Sequence, residues 1–257
     1  MTSLVRRMLR RVERALPSVR GTTVLAYHLV EGGTRGVVDV PRETFRAQID
    51  ELARVARVVP LERALDDDDG DARPRVALTF DDAYQNFFDE AWPVLRERAL
   101  PTTLFVPTGF IDGTIGAPIR GTTLAPSSWD TLARAVSEGL TLGSHTVTHR
   151  VMRALSDDEV REECVRSRAR IEERTGRAPR AFCYPQAKWT ARVERVVRAH
   201  YPVVVVGGGT KAHPRFTRAH RIPRVSVRRD MPTSLIAVLR APICLEEAIG
   251  DATRRLR

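Results

Sequence analysis

Short apolar runs, each ending on polar residues and separated from the next by a stretch of helical period, restrict the fold of this chain most. GTTVLAYHLV (21–30), VALTF (76–80), TTLFVP (102–107), LTLG (140–143), AFCYP (181–185), VVVVG (203–207) and RIPRVSV (221–227) read as buried strands, with ARVVP (56–60) as a shorter one. Between the first runs, Phe45, Ile49, Leu52 and Val55 recur at helical spacing after Pro41. Further helices are expected over 87–98, 129–138, 157–175 (closed by Gly176 and Pro179) and 190–200, with one or two more over 232–257. Strands alternating with helices imply a mainly parallel sheet or a barrel. No internal repeat or interdomain linker interrupts the pattern, and 257 residues suit one large α/β domain.

The bulk numbers exclude more than they select. The formal charge is +10, from 42 Lys+Arg against 32 Asp+Glu, and only Lys188 and Lys211 are lysines. An arginine skew of this kind also follows from a GC-rich coding sequence, and with no nucleic-acid-binding motif and few aromatic residues, nucleic acid is not expected as a partner. Cys164, Cys183 and Cys244 are odd in number and widely spaced, which suits a reducing compartment rather than a disulfide framework. The chain opens without a secretory apolar core and has no run long enough to span a bilayer, so a cytoplasmic location is expected. DDDDGD (66–71) lacks the ligand spacing of a calcium loop and reads as a solvated turn.

In MTSLVRRMLRRVERALP, Leu4, Val5, Met8, Leu9, Val12 and Leu16 recur at helical spacing with Arg6, Arg7, Arg10, Arg11 and Arg14 between them. Such a basic amphipathic helix either lies on an anionic membrane surface or docks its apolar stripe on its own domain; the second is the commoner arrangement. The expected division is therefore 1–20 for this helix, 21–230 for a catalytic domain, and 231–257 for a helical segment packed on it.

Two stretches carry chemistry. The run VALTF delivers two adjacent carboxylates, Asp81 and Asp82, whose mutual repulsion and desolvation need a nearby cation unless both are solvated in a turn. After the strand LTLG, the sequence SHTVTH places His145 and His149 four residues apart. In parallel α/β architectures strand ends converge on one crevice or barrel mouth. Two histidines and one aspartate form a ligand set for a catalytic divalent metal, since an open coordination position remains. One aspartate can then bind the metal while the other works beside it.

TFDDAY (79–84), SHTVTH (144–149) and FCYPQA (182–187), flanked by LAYHLV, VPRETFRAQIDEL, AWPVLRERALPTTLFVPTGFI and RIPRVSV, resemble the successive motifs of the polysaccharide deacetylases, the NodB-homology or carbohydrate esterase family four proteins. The resemblance spans about residues 21–230. It implies an irregular, incomplete (β/α) barrel and metal-dependent hydrolysis of an N-acetyl group on an amino sugar. Carried over by position, it makes Asp82, His145 and His149 the ligands of a divalent metal, zinc for preference. Asp81 would be the base for the attacking water, and the backbone N–H of Gln186 an oxyanion donor. Tyr184 would either stack on a sugar or pack in the core.

The chain departs from the family pattern at three places. Ala83 stands where glycine is usual, Gln186-Ala187 where an aromatic-glycine pair is usual, and Cys183 where many members carry the arginine that steadies the base. Arg224 is the candidate substitute for that arginine, with a surface arginine as the alternative. The family's late histidine has no counterpart, so His28, at the end of the first strand, is the candidate general acid, with a structural hydrogen-bonded histidine as the alternative. A catalytically silent glycan-binding module on the same fold, and an amidase for a non-sugar substrate, are the rival functions.

Overall fold

The structure is a computed structural model that describes residues 8–9, 11–13, 16, 19–67, 70–116, 122–245, 248–249 and 252. Parts of the N-terminal helix, of the Asp-rich turn and of the C-terminal segment expected from sequence lie outside these residues, as do residues 117–121.

Seven parallel strands close into a ring. They are β1 (Thr22–Tyr27), β5 (Arg75–Phe80), β6 (Thr102–Val106), β7 (Thr141–Ser144), β8 (Ala181–Cys183), β9 (Val203–Gly207) and β10 (Ile222–Ser226). β1 closes the ring by pairing with β10 on one side and, over Thr22↔Arg75 to Tyr27↔Phe80, with β5 on the other. The expected barrel is thus observed, one strand short of the eight of a complete (β/α) barrel. A short strand, β4 (Arg57–Val58), lies below β6 on the same edge of β5. β2 (Leu29–Val30) and β3 (Asp39–Val40) form a separate pair beside the ring.

The period-2 alternation of each strand sorts its residues. Val24, Ala77, Phe105, Ala181, Cys183, Val205 and Ile222 form one buried cluster that fills the barrel. Leu25, Leu78, Phe80, Leu104 and Leu142 belong to the larger cluster beneath the helices. Along β5 the inward parity of Ala77 and Thr79 continues to Asp81; along β8 that of Ala181 continues to Cys183, and along β10 that of Ile222 continues to Arg224. The barrel's inner rows therefore end in charged and polar groups at one mouth.

The outer layer holds α1 (Arg42–Val55), a π-helical stretch at Phe87–Ala91 running into α2 (Trp92–Glu97), α3 (Thr108–Ile111), α4 (Trp129–Ser137), α5 (Asp157–Thr175), α6 (Ala191–Val197) and α7 (Ile236–Arg240). α5 is defined at both ends: Ser156 and Glu159 form a reciprocal capping box, and Gly176 closes it at φ 71°. Leu235 and Leu239 are buried with the residues of α1, so the described part of the C-terminal segment packs on the barrel.

At the N-terminus, residues 8–9 and 11–13 are helical. Glu13 is buried and accepts the Leu245 N–H at 2.7 Å. Leu9, one turn earlier, is half-buried. Met8, Val12, Leu16 and Val19 are instead 60%, 52%, 37% and 44% exposed. Of the described stripe residues, Leu9 lies on the Glu13 side that touches the body, whereas Met8 and Val12 on the helix and Leu16 beyond it are exposed.

Candidate active site

Asp81 and Asp82 directly follow β5, and both are buried. The strand ends in a sharp change of backbone: Asp82 has φ 75° and Ala83 φ 50°, which separates the two carboxylates onto different partners.

Asp81 turns into the barrel. Its Oδ1 accepts from Arg224 Nη1 at 2.7 Å and its Oδ2 from Nη2 at 2.8 Å, a two-pronged pair. Arg224 Nη1 also donates to Thr79 Oγ1 at 3.1 Å, its Nη2 lies 2.9 Å from Cys183 Sγ, and the guanidinium sits 5.4 Å from the Phe105 ring centroid. Burial alone would raise the Asp81 pKa, but the Arg224 charge and hydrogen bonds, with smaller help from His28 and His145, hold it well below the usual carboxylate range. Burial pushes the Cys183 thiol far up, so it remains a neutral thiol.

Asp82 meets imidazoles. Its Oδ1 lies 3.6 Å from His145 Nε2 and 3.4 Å from His149 Nε2, and the two Nε2 atoms are 3.2 Å apart. His145 Nδ1 is 2.8 Å from the Cys183 carbonyl oxygen, which can only accept. Nδ1 therefore carries the proton, and the Nε2 lone pair points toward Asp82 and His149. Burial, then the neighbouring His149, pushes the His145 pKa down to about 4, so this imidazole is neutral near pH 7.

Among the described residues, two groups of donors could hold an ion: Asp82, His145 and His149, or Asp81, His145 and Cys183. In the second, Arg224 occupies both Asp81 oxygens and abuts the thiol, so a cation would face a guanidinium. The first is free of that conflict and offers one carboxylate oxygen and two imidazole nitrogens converging at one point. Its chemistry fits a divalent metal.

The structure brings His28 to the same place. Its Nε2 lies 3.5 Å from Asp81 Oδ2, while its buried Nδ1 has no hydrogen-bond partner. Gln186 lies at the exposed lip of the mouth with φ 56°, followed by Ala187 at φ 53°. Tyr184 corrects one expectation. Its ring is fully buried, 5.3 Å from Phe182 and stacked 6.0 Å from Trp189, so it presents no face to a sugar.

Sequence reasoning missed Glu163. Its Oε2 accepts the N–H groups of Val147, at 2.6 Å, and Thr148, at 3.0 Å, and its Oε1 accepts from the Thr148 hydroxyl. The available signal was an acid in the buried row of α5, among Val160, Cys164, Ser167 and Ile171.

The family profile of polysaccharide deacetylases matches residues 68–204, more than half of the chain. The chain belongs to the polysaccharide deacetylase family. His28 and Arg224 fall outside the matched segment, so the barrel recruits them from beyond it. YxkH of Bacillus subtilis (strain 168) is 23% identical over 170 residues, which cover 65% of this chain and 57% of that protein. The chain thus spans little more than half the length of that curated relative. Among solved structures, the deacetylase PplD of Streptococcus pyogenes, in complex with acetate, superposes with a TM-score of 0.74 at 20% identity, covering 89% of this chain and 100% of that one. IcaB from Ammonifex degensii gives 0.68 at 26% identity, covering 82% and 93%.

Proposed function

We propose that this deacetylase-family chain hydrolyses the N-acetyl amide of an amino sugar within a glycan, a lipid-linked glycan or a glycoside, with a divalent metal held by Asp82, His145 and His149. The observation that carries the reading is the partition of the two buried carboxylates. Arg224 balances Asp81, whereas the ion-pair partners of Asp82 among the described residues are the imidazoles of His145 and His149. A buried carboxylate so placed calls for a cation.

A bound divalent metal, with zinc the first choice for this N,N,O set, would supply Lewis-acid polarisation and a more acidic water. The protein's own groups do the rest. Asp81, ionised and fixed in orientation by the Arg224 fork, takes the proton of the attacking water. The same fork lowers its basicity, so the metal held by Asp82, His145 and His149 would be needed to supply a water acidic enough for Asp81 to deprotonate. The Gln186 N–H stabilises charge on the former carbonyl oxygen. His28, beside Asp81 and partly open to solvent, delivers a proton to the departing amine.

The test is zinc content per chain, wild type beside His149→Ala, followed by acetate release from N-acetylated amino-sugar oligomers. About one equivalent in the wild type and little in the variant, with release lost in Asp81→Asn, is expected. Absence of bound zinc or cobalt in both proteins would overturn the reading in favour of a glycan-binding module, and release unchanged by Asp81→Asn would overturn the role of Asp81 as base.

A further inference from the structure

His145 and His149 sit on a loop with no regular structure, yet two of its residues are held in a backbone region that non-glycine residues avoid: Thr146 at φ 70° and His149 at φ 54°. Something must hold them there. His149 N–H donates to Thr146 Oγ1 at 2.9 Å, a tie within the loop itself. From the β6 side, Thr108 N–H donates to the Thr146 carbonyl and Gly109 N–H to the Val147 carbonyl, each at 3.0 Å. A Cβ at Gly109 would lie 2.6 Å from that Val147 oxygen, so this approach requires glycine.

The third hold is Glu163. Val147 and Thr148, the residues between Thr146 and His149, give both N–H groups and one hydroxyl to its carboxylate. Every contact is a donor meeting an acceptor, and a carboxylate is the only side chain with acceptors alone on both terminal atoms. Glu163 is buried on α5, a helix capped at both ends, so the clamp stands on a rigid element.

We infer that Glu163 is a positioning residue for the metal site: by fixing Val147 and Thr148 it sets where His149 meets His145 and Asp82. The inference rests on the metal-site reading above. A carboxamide in its place keeps the two N–H groups on its oxygen but turns an NH2 toward the Thr148 hydroxyl, which must reverse to accept; the charge-assisted bonds become neutral ones, which loosens the loop and with it the His149 ring. The loss falls on metal affinity rather than on the barrel, whose strands Glu163 does not join.

The test is the affinity of the metal-free full chain for zinc alone, by competition with a chromophoric chelator, with the cobalt(II) absorption spectrum as a report on ligand geometry. Glu163→Gln is expected to weaken zinc binding about 10- to 100-fold and alter the cobalt spectrum. Thr148→Val, which removes one donor, should shift both in the same direction by less, and it serves if Glu163→Gln fails to fold. Glu194→Gln is the control: Glu194 is also a buried acid, on α6, but its partners are Arg221, at 2.6 Å to each oxygen, and His220, at 3.2 Å. That variant should lower the melting temperature while leaving zinc affinity within twofold. Wild-type affinity in Glu163→Gln, or an equal loss in Glu194→Gln, would overturn the inference. A wild-type chain that binds no metal would overturn the metal reading itself, a separate result.

Discussion

Replacing Arg224 by methionine tests the electrostatics of the site directly. The wild-type pair is fully inside the barrel, with both Asp81 oxygens bonded to the guanidinium at 2.7 and 2.8 Å. Methionine fills much of the same volume but leaves Asp81 without its cation and frees Thr79 Oγ1 and Cys183 Sγ of their Arg224 contacts. Breaking a buried pair from one side costs about 3–5 kcal/mol, because a charge remains stranded. For a chain of this length that is a fall of roughly 10 °C in melting temperature. The sign of the pH dependence follows from the causes of the Asp81 shift. In the wild type the folded carboxyl sits below its unfolded value, so its contribution is present at neutral pH and is lost as the medium becomes strongly acidic. Without Arg224, burial dominates and the folded carboxyl moves above its unfolded value. The variant's deficit should then be largest near pH 7 and shrink as pH falls toward the unfolded carboxyl range. Asp81→Asn combined with Arg224→Met removes the stranded charge and should recover most of the loss. Urea unfolding of the wild type and the two variants between pH 4 and 8 measures this. A deficit under about 1 kcal/mol, a deficit independent of pH, or a double variant as unstable as Arg224→Met would refute the reasoning.

Three other outcomes are expected. Ala187→Gly should raise stability by about 1 kcal/mol in thermal unfolding, since Ala187 lies at φ 53°, where a Cβ is penalised, and is only half-buried. In protein stripped of metal by a chelator, stability should fall by up to about 3 kcal/mol as pH drops from about 6.5 to about 4, because unfolded His145 takes a proton that the folded ring, held at about 4, refuses; His145→Gln should flatten that slope. We also propose that the exposed apolar side chains of Met8, Val12 and Leu16 meet an anionic bilayer, so the full chain should float with phosphatidylglycerol-rich vesicles and Val12→Asp should not; equal flotation of both, or of neither, would refute this.

Much of the barrel was legible because its signals are local. Apolar runs such as VVVVG and VALTF fall on observed strands, and the capping box and Gly176 bound α5 where the charge pattern placed it. The close gathering of Asp82, His145 and His149 was legible for a different reason: strand ends in a parallel barrel share one mouth, so residues that follow β5 and β7 must approach each other. What the sequence concealed depends on register and on side-chain direction. Tyr184 is one residue out of step with Cys183, and that single step takes its ring away from the inner row and into the cluster of Phe182 and Trp189. Glu163 reads as one more charge on a charged helix, and only the packing of α5 against the His loop turns it inward. The direction of the N-terminal stripe was similarly open, since amphipathicity states that a helix has two faces without saying which one the domain takes.

Backbone strain shows where this chain departs from the easiest solution. The non-glycine residues with left-handed φ include Asp82 and Ala83 after β5, Thr146 and His149 after β7, and Gln186 and Ala187 after β8. Six strained residues on three loops around one mouth is more than turns alone require, since glycine would fit at any of them without its Cβ penalty. At Asp82 and His149 the side chain is a proposed ligand, so glycine is excluded by chemistry. At Ala83 and Ala187 it is not, and there the strain is carried without a donor atom in return. Each of those alanines directly follows a residue whose placement matters, Asp82 in one loop and Gln186 in the other. A methyl group narrows the conformations open to the unfolded loop and, at the fully buried Ala83, joins the core beneath the helices. On this reasoning, Ala83→Gly should loosen the Asp82 turn even while relieving strain, whereas Ala187→Gly, with little packing to lose, should simply stabilise. The opposite ordering of the two variants in thermal unfolding would show that strain relief outweighs packing at this mouth.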